Sequence, residues 1–110
     1  MDSQLAALNV IDHAVLTTSG TTAYGLDSAT PALSADGRVG GKTVRRMFIS
    51  VETGNVRWQA DGTAPTAATG HVIAKDDSVS FTGANYKNLI KNIKFIGVGS
   101  ACPIQITYFD

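Results

Sequence analysis

The chain of 110 residues has 44% hydrophobic and only 16% charged side chains, and its nine basic and nine acidic groups balance. Its length predicts one domain, its scattered Lys and Arg argue against nucleic acid as a partner, and its lone cysteine excludes an intrachain disulfide. No apolar run approaches the roughly 20 residues of a membrane span, so we expect synthesis in the cytoplasm and no membrane partner.

The first part of the chain is predicted to hold one strand and a long loop. Residues 9–16 are rich in β-branched and apolar side chains and precede a Thr-Thr-Ser-Gly cluster, which is typical of a strand and its turn. Residues 17–43 are mostly Thr, Ser, Ala and Gly, with a turn signal at Asp36-Gly37, and predict an extended loop or arm. Such a long loop is uncommon in a small domain, so it either hides a short strand near 32–34 or wraps a neighbouring molecule.

From residue 44 onward the pattern becomes regular. Apolar and polar side chains alternate in residues 44–51 and again in 56–60, which predicts two strands. Between them, residues 52–55 form a turn in which Gly54 is free to take a positive φ, so we expect an antiparallel hairpin. After a loop at 61–70, further strands are predicted at residues 71–74, 78–82, 93–98 and 104–109.

The same half of the chain contains one predicted helical turn. Tyr86, Leu89 and Ile90 have helical spacing within residues 85–92, which predicts a single turn that crosses one end of a sheet. Pro103 cannot donate a ladder hydrogen bond, so we expect it at the first position of the last strand.

The fold predicted from these elements is all-β. About seven short strands separated by turns indicate an antiparallel β-sandwich or a jelly-roll-like fold rather than βαβ units. We expect one domain over residues 1–110, with a long N-terminal loop or arm at 17–43. Val56 and Trp58 share one face of their strand, and Val79 and Phe81 share one face of theirs, so these faces are predicted to point to the core. The hydroxyls beside Val79 and Phe81 are predicted to face water or a partner.

No group of residues indicates a catalytic, cofactor-binding or metal site. His13 and His71 have no second ligand at metal spacing, since Asp12 would point to the opposite face of the strand from His13. Cys102 is more typical of a small buried hydrophobe than of a nucleophile, because no base is indicated beside it. We therefore expect a protein that is not an enzyme and has no cofactor.

Two further groups invite a ligand interpretation. Carboxylates in turns at Asp61 and Asp76-Asp77 are possible calcium ligands, but their spacing does not match an EF-hand and Asp-Gly is a common turn pair. Sugar binding needs exposed aromatic side chains, whereas Trp58 and Tyr108 lie at strand positions that face the core. The aromatic candidates are Tyr24, Tyr86, Tyr108 and Trp58.

The second half of the chain resembles small bacteriophage virion proteins. The shared pattern is Val-Arg-Trp at 56–58, Asp-Gly-Thr-Ala-Pro-Thr at 61–66 and Gly-His at 70–71, followed by a C-terminal strand that ends in aromatic residues. The resemblance covers residues 44–110 and consists of turn and core positions, without a catalytic residue to transfer. It implies a β-sandwich located on the virion, such as a head decoration or cement protein that binds the major capsid protein.

The composition is compatible with such a role. A low fraction of charged residues is typical of the centres of protein–protein interfaces, although a surface rich in Ser, Thr and Gly would give the same low fraction. We expect a virion structural protein, made in the host bacterial cytoplasm, that stabilises the capsid shell, forms a dimer or trimer, and drapes residues 17–43 over a neighbouring subunit. The alternatives are a tail fibre or head–tail connector component and a carbohydrate- or receptor-binding module.

Overall fold

The computed structural model describes residues 10–30, 33–34, 38–82 and 86–110, with only the backbone for 86–88, and most of its elements are short strands. The strands are β1 (Val10–Thr17), β2 (Tyr24–Gly25), β3 (Arg38–Val39), β4 (Lys42–Thr43), β5 (Arg46–Val51), β6 (Val56–Gln59), β7 (His71–Ile73), β8 (Ser78–Thr82), β9 (Lys94–Gly97) and β10 (Pro103–Phe109). Among the described residues the helices are a 3-10 helix (Leu26–Ser28) and α1 (Tyr86–Asn92), and neither is long and apolar enough to cross a membrane.

The strands form two four-stranded antiparallel sheets. Sheet I has the order β1-β10-β5-β8, and sheet II has the order β2-β9-β6-β7. β3 and β4 make a separate small hairpin. All pairs are antiparallel, so the predicted all-β antiparallel fold is confirmed. β10 begins at Pro103, as predicted, and α1 extends the predicted helical turn to seven residues.

Both sheets contribute to one hydrophobic core. Directly paired residues of antiparallel strands share a face, so the strand register defines rows of side chains. The inward rows of sheet I contain Leu16, Ile104 and Val51; then Ala14, Ile106, Ile49 and Val79; then Tyr108, Met47 and Phe81. From sheet II, Val56, Phe95 and Ile73 belong to the same buried cluster, and Trp58 packs against it. The core faces predicted from alternation are therefore confirmed.

The predicted hairpin between residues 44–51 and 56–60 is wrong. β5 lies in sheet I and β6 lies in sheet II, so residues 52–55 carry the chain from one sheet to the other. Gly54 is not among the glycines with positive φ. A Cβ on it would lie 3.0 Å from the Cys102 Sγ, so this corner needs glycine for close approach. A local turn signal cannot distinguish a hairpin from a crossing between sheets.

The described part of residues 17–43 is folded onto the domain, which corrects the expectation of an extended arm. Leu26 and Val39 are 1% and 0% exposed and belong to the core. The Thr30 side chain is buried and lies 2.9 Å from the Tyr108 hydroxyl. A few apolar anchors are thus sufficient to pack a segment that is otherwise rich in Thr, Ser and Gly.

One detail of that segment agrees with the alternative prediction of a hidden short strand. Leu33 forms an isolated antiparallel bridge with Val39. Ala32 and the predicted Asp36-Gly37 turn lie outside the described residues.

Candidate functional site

The outer face of sheet I is a nearly uncharged surface, which we call the neutral face. The strand register places three rows of four side chains on it: Val15, Gln105, Ser50 and Ser78; His13, Thr107, Phe48 and Ser80; and Val10, Phe109, Arg46 and Thr82. In these rows Arg46 is the one permanently charged side chain. Exposed positions of soluble proteins are commonly Lys, Glu, Asp or Arg, so a face made mostly of hydroxyl, amide and apolar side chains is unusually poor in charge.

Five polar side chains of the neutral face are paired across the strands, although the buried Arg46 Nε has no hydrogen-bond partner among the described residues. The His13 ring places Nδ1 3.0 Å from the Thr107 Oγ1 and Nε2 2.8 Å from the Gln105 Oε1. The Arg46 Nη2 donates to the Ser80 Oγ at 3.4 Å. Because these groups keep their partners when water is displaced, covering the face costs less desolvation than covering free charges would.

Apolar side chains lie among these hydroxyls. Phe48, at the middle of its strand, is 37% exposed, and Val15 is 48% exposed. At the end of the sheet the Arg46 guanidinium carbon lies 5.7 Å from the centroid of the buried Phe109 ring. Phe48 lies among the hydroxyls of its own face and also lines a groove with Glu52, Asp76 and Asp77 at the margin of that face.

On the opposite side of the molecule, the loop 61–70 folds over the outer face of sheet II. Arg57 points away from the core and donates from Nη1 to the Gly70 carbonyl at 2.7 Å and from Nε to the Ala67 carbonyl at 3.1 Å. Gly70 has φ +127, and a Cβ on it would lie 3.0 Å from the Trp58 carbonyl oxygen. Arg57 and Gly70 therefore fix the end of the loop against β6.

The rest of the loop is held by its own backbone and short side chains. The Asp61 carboxylate accepts the Thr63 N–H at 3.0 Å. Thr66 and Thr69 exchange backbone hydrogen bonds of 2.9 and 3.3 Å, and Pro65 is buried. The Asp-Gly-Thr-Ala-Pro-Thr and Gly-His stretches of the sequence thus supply turn residues, a buried proline and the loop end that Arg57 binds.

The carboxylates considered for calcium occupy turns. Besides the Asp61 contact, the Asp76 N–H donates to the Val51 carbonyl at 2.9 Å, and the Val51 N–H donates to the Asp77 carbonyl at 3.0 Å. Asp76 has a positive φ of 68°, which Asp tolerates better than most residues. Among the described residues, no group of three or more His, Cys, Asp or Glu is arranged to hold a metal ion.

The two histidines lie on different sheets, so the structure does not bring them together. His13 belongs to the neutral face, whereas His71 begins β7 in sheet II. The His71 ring covers Trp58, with centroids 4.7 Å apart, and Phe81 meets Trp58 edge-on at 5.0 Å. Trp58 is therefore packed between the edge strands β7 of sheet II and β8 of sheet I, and it is not an exposed platform for a sugar ring.

The other aromatic candidates are similarly dispersed. Tyr108 is fully buried, and Tyr24 is partly exposed on β2, at the side of the sandwich opposite His71. The Tyr86 side chain lies outside the described residues.

Cys102 is packed as a small buried residue. Its thiol is fully buried, and the nearest polar atoms to Sγ are the Ser100 carbonyl at 3.7 Å and the Asn55 carbonyl at 4.0 Å. Its backbone N–H donates to the Thr18 Oγ1, which in turn donates to the Cys102 carbonyl. These contacts join the end of β1 to the start of β10, and none of them supplies a base for the thiol.

The neutral face was not predicted from the sequence, although one signal of it was visible. The hydroxyls at Ser78, Ser80 and Thr82 alternate with the core residues of β8 and indicated a face that contacts water or a partner. Their meeting with β1, β5 and β10 depends on pairings between distant segments. No protein-family model, curated protein or solved structure matches this chain.

Proposed function

We propose that this protein is a structural component of a bacteriophage virion, a decoration or cement protein that binds the capsid shell through the neutral face. The main support for this proposal is the composition of the three outer rows of sheet I. They consist mostly of hydroxyl, amide and apolar side chains and contain a single permanent charge, at Arg46. Such a face offers shape and hydrogen bonds to another protein.

The strand order supports the same proposal. With the β3–β4 hairpin set aside, the first strand pairs with the last, β2 with β9, β5 with β8, and β6 with β7. We interpret this nested pairing as a jelly roll, the arrangement of two Greek keys that capsid and lectin domains use. A fold does not specify a function, so the interpretation adds weight only in combination with the neutral face and the virion-like sequence pattern.

The size of the neutral face suggests how it would work. Four strands spaced by 4.7–4.9 Å and about six residues long cover roughly 20 Å by 20 Å, about half of the roughly 800 Å² per partner of a standard interface. One contact of this size is weak. Many symmetry-related copies on a shell, or a dimer with two such faces, would add contacts without a larger interface.

Binding to particles tests the proposal. Virions of the phage that encodes the chain should contain it by mass spectrometry, and the purified protein should co-sediment with particles that lack it. Phe48→Lys and Ser80→Lys should each reduce binding at least about tenfold, because either places a charge in the contact. Val72→Lys is the matched control, since Val72 is an exposed valine on the outer face of sheet II.

Two outcomes would refute this assignment. One is the absence of the protein from purified virions. The other is binding by Phe48→Lys and Ser80→Lys that equals binding by the unmodified chain. Attachment to the tail rather than the head, seen by electron microscopy of the decorated particles, would select the fibre or connector alternative.

A further inference from the structure

The side of the sandwich between β1 and β2 combines an open strand edge with a groove. β1 is an outer strand of sheet I, and among the described residues it pairs only with β10. The Thr18 N–H donates to the Cys102 carbonyl, so the backbone groups of alternate residues in β1 face β10. The N–H and C=O groups of Val15 and Thr17 therefore point to the free edge of the sheet.

The two halves of this edge differ. At the N-terminal half, the Asp12 carboxylate accepts the His13 N–H at 2.8 Å, and the ladder has an irregularity between Val10 and Asp12. Charges and bulges of this kind protect sheet edges from further strands. The C-terminal half, Ala14–Thr17, contains no charge and no proline, and Val15 is 48% exposed.

The groove lies beside the unprotected half. It has a volume of about 310 Å³ and is lined by Val15, Leu16, Thr17, Tyr24, Ser28 and Ala29. Tyr24 belongs to the inward row of sheet II, where it pairs with Phe95, and its ring therefore points between the sheets at this side. Edge and groove form one continuous surface without a charged side chain.

We propose that two copies of this chain associate through this surface, about a two-fold axis at Leu16. Val15 of one copy then pairs with Thr17 of the second copy. Sheet I of one copy and sheet I of the other become one continuous sheet, and the two grooves that Tyr24 lines meet beneath it. A two-fold contact places each residue near its own equivalent, so an uncharged edge suits self-pairing because no like charges oppose one another. A two-fold contact uses the β1 edge of both copies, so the association closes at two copies.

This dimer does not depend on particle binding, because it is measured in the free protein. Val15 lies on the edge strand of the neutral face, away from Phe48 and Ser80 on β5 and β8. Sedimentation velocity over a concentration series up to about 1 mM should show a monomer–dimer equilibrium. Val15→Lys should shift the equilibrium to monomer at least about tenfold, because two lysines would lie close to the axis. Val72→Lys is the matched control, since Val72 is 49% exposed on the edge strand of the other sheet.

Amide hydrogen exchange supplies a second measurement that does not rely on a variant. The N–H groups of Val15 and Thr17 should become protected as concentration rises, whereas that of Val72 should not. A monomer throughout the series, a dimer that survives Val15→Lys, or a dimer that Val72→Lys also abolishes would overturn the proposal.

Discussion

Tyr108 is the residue whose burial has the clearest consequence for stability. Its side chain is fully buried in an inward row of sheet I, and its hydroxyl lies 2.9 Å from the Thr30 Oγ1. Burial raises the pKa of Tyr108 to about 12; the hydrogen bond with Thr30 lowers it, and the Asp12 carboxylate raises it further. The neutral phenol is therefore favoured more strongly in the folded chain than in the unfolded chain, where the pKa is about 10.

The free energy of unfolding should fall as pH rises from about 10 to about 12. In that range the unfolded chain has released the Tyr108 proton and the folded chain retains it, so rising pH favours unfolding by up to about 3 kcal/mol. Tyr108→Phe should be less stable at pH 7 by about 1 kcal/mol, because Thr30 loses its partner, but should lose less stability above pH 10. Denaturant titrations at several pH values measure both effects, and identical pH slopes for the two proteins would exclude this role of Tyr108.

At the scale of elements, the loop 61–70 shows how a sequence pattern becomes a rigid structure. Its turns could be predicted from Asp-Gly and Pro, but its attachment to sheet II could not, because that attachment depends on one side chain of β6. Arg57 supplies two charge-assisted hydrogen bonds, to the Ala67 and Gly70 carbonyls. The loop is therefore expected to exchange amide hydrogens slowly for a surface segment.

Arg57→Ala should lower the free energy of unfolding by about 1.5–3 kcal/mol, the range for hydrogen bonds to charged groups. It should also speed amide exchange at Thr66 and Thr69, whose backbone pairing depends on a fixed loop. Arg57→Lys should have a free energy of unfolding between those of the unmodified chain and Arg57→Ala, because an ammonium group lacks the planar fork of arginine. Arg45→Ala, at an exposed position, is the control. Unchanged protection of Thr66 and Thr69 in Arg57→Ala would show that the loop is fixed by other contacts.

The whole molecule shows which levels of structure local patterns can and cannot predict. Alternation in β5, β6 and β8 predicted strands and core faces correctly, because burial of one face leaves a local signal. The partners of β5 were predicted incorrectly, since pairing is decided by β10 and β8 from distant parts of the chain. The neutral face depends on the same pairings: His13 and Thr107 are 94 residues apart in sequence and meet only in the folded chain.

The molecule therefore has two surfaces that are poor in charge, each with its own proposed partner. We propose the capsid shell as the partner of the neutral face and a second copy of the chain as the partner of the β1–β2 side. A dimer joined at β1 would extend sheet I across both copies and place two neutral faces side by side, which doubles the area that one bound unit presents to the shell.

Hydroxyl-radical footprinting of the protein bound to virus particles tests whether the neutral face contacts the shell, because it measures which side chains lose contact with water. We predict that Phe48 and His13, on the neutral face, become protected on binding, while His71 and Val72, on sheet II, keep the reactivity that they have in the free protein. Protection of His71, Val72 and the loop 61–70 with Phe48 unchanged would show that the protein binds particles through sheet II and not through the neutral face.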